Sequence, residues 1–65
     1  MKDRKEIIER ILGVLRASPA TSAYIATRTG IPVETVIQVL VELEVDEGMV
    51  ASTGGRYWIV PEHVR

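Results

Sequence analysis

The stretch Thr21-Ser22-Ala23-Tyr24-Ile25-Ala26-Thr27-Arg28-Thr29-Gly30-Ile31-Pro32-Val33 decides the fold, because two helical patterns meet in it around a glycine and a proline. Thr21 or Ser22 offers a hydroxyl to the free amides at a helix start, and that short helix runs through Arg28 with Tyr24, Ile25 and Ala26 directed inward. Gly30 suits the left-handed residue that closes a helix, and Pro32 suits the first turn of the next. The spacing therefore predicts two helices set at an angle across a tight turn.

On the amino-terminal side, Asp3 followed by Glu6 is a capping-box-like start. Ile7, Ile8, Ile11, Leu12, Val14 and Leu15 then share one side of a 3.6-residue repeat, with Gly13 on the outer side. Ser18-Pro19 ends this first helix, since proline disfavours helical geometry in the residue before it. Beyond the turn, a third helix is expected over residues 33–46 with Val36, Val39, Leu40 and Leu43 as its buried stripe and Gly48 as its terminator. Residues 49–52 and 57–60 change to strand periodicity around Thr53-Gly54-Gly55-Arg56, which reads as a β-hairpin closed by Pro61. Tyr57 and Trp58 alternate, so one is expected to face the core and the other solvent, while Tyr24 is expected in the core with its hydroxyl at the surface.

The order helix, helix, turn, helix, hairpin spans nearly all 65 residues, so the expectation is one α+β domain over residues 1–65 with its core at about 4–60 and a short tail at 61–65. A hydrophobic share of 46% against 26% charged residues is a globular composition that should fold unaided. There is no cysteine, which excludes disulfide staples and thiolate metal sites. No apolar run approaches the about 18 residues that suggest a spanning helix, so no membrane partner and a cytoplasmic location are expected.

In this order and spacing the residues resemble the winged helix-turn-helix superfamily, across roughly residues 5–60. The resemblance is carried by residues 21–26, Gly30-Ile31-Pro32, Val36, Leu40, Leu43, Gly48-Met49-Val50 and Gly54-Gly55-Arg56-Tyr57. Within the superfamily the chain looks most like the small winged domains of bacterial and archaeal regulators and the carboxy-terminal winged domain of DNA-processing proteins. The step from Leu43 to Gly48 is a residue longer than is common in related sequences, which predicts an extended or bulged end to the third helix. In DNA-binding members the third helix enters the major groove and the wing approaches an adjacent groove or the phosphates. The resemblance thus implies a small, dimeric transcriptional regulator. It would contact double-stranded DNA through Arg28, Thr29, Thr35, Gln38, Thr53 and Arg56, helped by Lys2, Arg4 or Lys5 if the first helix lies along the duplex.

The charges and the third helix argue in another direction. The net charge of −1 divides into +3 over residues 1–30 and −4 over residues 31–65, and no Lys or Arg occurs between Val33 and Val50. A 100° step per residue turns Glu34, Gln38, Val41, Glu42 and Val45 toward solvent, which is a poor surface for a polyanion. Val33, Ile37, Val41 and Val45 form an apolar i, i+4 row beside the core stripe. Either this row is a surface for a second copy or another protein, or the wing, the first helix or the tail covers it. The alternative function is accordingly a winged domain for protein association that does not bind DNA.

Catalysis is not expected. The single histidine, His63 beside Glu62, has no further ligand at metal spacing, and Gly54-Gly55 is a hairpin turn rather than a phosphate loop. No metal, cofactor or small-molecule substrate is predicted.

Overall fold

The computed structural model describes residues 3–61, so Lys2, Glu62 and His63 lie outside the described residues. Helix α1 (Arg4–Ala17) is followed by strand β1 (Ala20–Thr21), helices α2 (Ser22–Thr29) and α3 (Val33–Val45), and strands β2 (Val50–Thr53) and β3 (Arg56–Ile59). The three strands form one antiparallel sheet in the order β1-β3-β2. The wing is therefore a three-stranded sheet, where the sequence suggested a hairpin alone. Pro19 holds the chain extended after α1, and two residues are enough for Ala20 to pair with Tyr57 and Thr21 with Arg56. A strand that short carries no readable alternation.

Among the described residues the core is wholly apolar: Ile11, Leu12 and Leu15 of α1, Ala20, Ile25 of α2, Ile31 of the turn, Val36, Val39, Leu40 and Leu43 of α3, and Val50 of β2 are buried in one cluster. The turn that sets α3 across α2 is built as its residues require. Thr21 accepts a hydrogen bond from the Tyr24 amide through Oγ1 at 3.1 Å, and Gly30 takes φ 76° while its amide donates to the Ala26 carbonyl.

Two details of the helix ends differ from or refine the expectation. Asp3 occupies the cap position of α1, yet its side chain makes no cap hydrogen bond, and Glu6 lies 3.7 Å from Arg10 one turn on. At the end of α3, Asp46 and Glu47 both donate to the Glu42 carbonyl, and Met49 donates to that of Leu43. The extra residue before Gly48 is thus absorbed as a widened, π-like last turn.

Tyr24 is 50% exposed, which corrects its assignment to the core. Helix α2 buries Ile25 on the facing side, and one step of about 100° carries Tyr24 out of the contact. In β3, Tyr57 packs against the core beside Ile59, whereas Trp58 pairs with Ala51 on the other face of the sheet. Both aromatics are half-buried, so neither is the solvent-facing ring that alternation suggested.

Candidate functional site

The residues expected to touch DNA occupy three adjoining parts of the surface. Thr35 and Gln38, in the first half of α3, line an open groove of about 390 Å³ with Arg4, Arg10 and the turn residues Gly30 to Pro32. Arg28 lines a second groove, between α1 and α2, together with Arg10 and Tyr24. Arg56 lines a third, with Tyr24 and the residues leading into α2. Arg10 borders the first two and Tyr24 the last two, so a belt runs from the wing across α2 to the start of α3. Thr53 faces Arg56 across the wing turn.

The cations divide by what they already hold. Arg4 is hydrogen-bonded to Glu42, Arg10 pairs with Glu6, and Arg16 pairs with Glu9 at 3.7 Å. Lys5, Arg28 and Arg56 are exposed and make no ion pair among the described residues. The i, i+4 spacing of Glu6 and Arg10 is legible in the sequence, whereas the pairing of Arg4 is not, because Arg4 and Glu42 stand 38 positions apart. It also changes Glu42, which was expected to face solvent and is instead half-buried against α1.

Thr29 is engaged within the fold. Its hydroxyl donates to the Ile25 carbonyl at 2.7 Å and accepts from the Ile31 amide at 3.2 Å, and its carbonyl accepts from Arg10 Nη1 at 3.1 Å. These bonds fasten α1, the end of α2 and the turn to one another. Tyr24, absent from the expected contacts, lies inside the belt, and the ambiguity of an eight-residue helix with one buried side chain hid it.

The i, i+4 row of α3 is exposed over its whole length: Val33 36%, Ile37 42%, Val41 46% and Val45 73%. Of the nearby carboxylates, Glu42 is taken by Arg4 and Glu44 accepts from Ser52 Oγ at 3.1 Å. Glu34, Asp46 and Glu47 are exposed with no side-chain partner among the described residues.

Three helices, a tight turn between the second and third, and a glycine-tipped antiparallel sheet after them make this a winged helix-turn-helix protein. The DprA winged helix domain matches residues 3–56, and the chain belongs to that family. No curated protein and no solved structure matches it.

Proposed function

We propose that the chain binds double-stranded DNA through the belt from the wing to the start of α3, in a regulatory rather than catalytic role. The observation that carries this reading is the placement of Arg28 and Arg56, exposed and without acidic partners among the described residues, on either side of Tyr24. Unpaired cations are the ones free to displace counterions from phosphates, the largest sequence-independent source of DNA affinity. Thr35 and Gln38 stand at the end of the belt with polar groups that suit base edges. The exposed middle and end of α3 are acidic and apolar, so affinity in this reading comes chiefly from the backbone and sequence discrimination is modest.

Fluorescence anisotropy with a random-sequence duplex tests it. Binding is expected at about 50 mM salt and should weaken steeply toward 200 mM, and the double variant Arg28→Gln/Arg56→Gln should lose most of it. Absence of binding at the lower salt, or equal binding by the double variant, would refute the reading.

A further inference from the structure

We propose that the exposed row of α3 seats an amphipathic helix of a different protein, apolar along its contact line and basic at both ends. The row itself is the first observation. Val33, Ile37, Val41 and Val45 lie one helical turn apart, and neither the wing nor α1 covers them. Each i, i+4 step turns about 40° around the helix, so the four side chains form an apolar ridge inclined to the axis, the kind of ridge that packs into the groove of a second helix.

The charges around the row determine what can lie on it. Glu34 stands in the first turn, Asp46 and Glu47 just past the last, and all three lack side-chain partners among the described residues. The sequence supplies no Lys or Arg between Val33 and Val50. The carboxy-terminal end of α3 also carries the negative end of the helix dipole, with no basic residue in its last turn. Acidic side chains there add to the dipole instead of offsetting it, so this end gains most from an external cation.

The same charges disfavour a second copy. An antiparallel pairing of two α3 helices sets Glu34 of one against the Asp46 and Glu47 end of the other, and a parallel pairing sets each carboxylate beside its own duplicate. Either arrangement is acid on acid, which works against association. Nucleic acid is disfavoured on this face for the same reason. The DNA reading uses the wing, α2 and, at the start of α3, Thr35 and Gln38, so the two surfaces adjoin there, and binding of a peptide in the absence of DNA tests the row separately.

Two synthetic amphipathic helices with an identical leucine row, one flanked by lysines at both ends and the other by glutamates, test it against the full chain by fluorescence anisotropy. The lysine peptide should bind at least about tenfold more tightly than its twin at low salt, with the difference shrinking as salt rises. Ile37→Ser and Val41→Ser should each weaken that binding several-fold. Val45→Ser, at the most exposed position, supplies the same readout if either variant fails to fold. Glu34→Gln combined with Asp46→Asn and Glu47→Gln should abolish the preference for lysine. Binding by neither peptide, equal binding of both, or a dimer of the chain alone that Val45→Ser dissolves would overturn the proposal.

Discussion

Arg56 stands directly opposite Thr21 across the β1–β3 ladder, and Thr21 is the residue whose side chain caps α2. Backbone pairing therefore sets Arg56 across from the start of α2, and its side chain lines a groove with Thr21, so the arginine and the positive end of the α2 dipole border one groove and both favour an anion there. Arg56→Gln should lower duplex affinity at every sequence and reduce the slope of log affinity against log salt by about 0.9, with no change in thermal stability. Thr21→Ala should instead cost about 1 kcal/mol of folding stability in urea titration, because the Tyr24 amide loses its acceptor. A fall in stability with Arg56→Gln would mean that its side chain has a structural role.

Thr29 was expected at the DNA, and its hydroxyl is committed to the turn. Thr29→Val removes a donor to Ile25 and an acceptor for Ile31 while keeping the side chain's shape. A loss of about 1–2 kcal/mol in chemical denaturation is expected, with Thr29→Ser restoring most of it. Equal stability of the valine variant and the parent protein would show that these bonds contribute little.

Leu40 and Val41 are neighbours in sequence with opposite surroundings, the first fully buried and the second 46% exposed. Leu40→Ala should cost about 2–5 kcal/mol, comparable to the whole stability of a domain of this size. Val41→Ser should change stability by no more than about 0.5 kcal/mol. Circular dichroism melts of the two variants would check the contrast, and comparable losses would place Val41 in the core.

Much of this architecture is legible from residue pattern because the features responsible are local. The stripe of α1, the glycine and proline around Ile31, and Gly54-Gly55 each act within a few positions. What escapes depends on contacts between distant segments. Strand β1 exists because Ala20 and Thr21 find Tyr57 and Arg56, and neither residue shows that by itself. Which arginines are paired depends in part on the fold bringing the start of α1 within reach of α3, where Arg4 meets Glu42. Tyr24 sits on a helix too short for its periodicity to distinguish inside from outside. For the apolar row of α3 the pattern identified the residues, but their exposure needed the positions of the wing and of α1.

The wing tip offers the sharpest test of local geometry. Gly54 and Gly55 take φ values of 59° and 83° between the paired residues Thr53 and Arg56, the signature of a two-residue turn with both central residues left-handed. An added Cβ would meet no atom within 4 Å at either position, so backbone conformation alone sets the cost of substitution. Asparagine tolerates the left-handed region at the first position and narrows the unfolded ensemble, so Gly54→Asn should raise stability by about 0.5 kcal/mol. Gly55→Val forces a β-branched side chain into the same region and should cost at least about 1–2 kcal/mol, read from urea midpoints. The two variants should therefore move the midpoint in opposite directions, and a common direction would mean that Gly54 and Gly55 are not a left-handed pair.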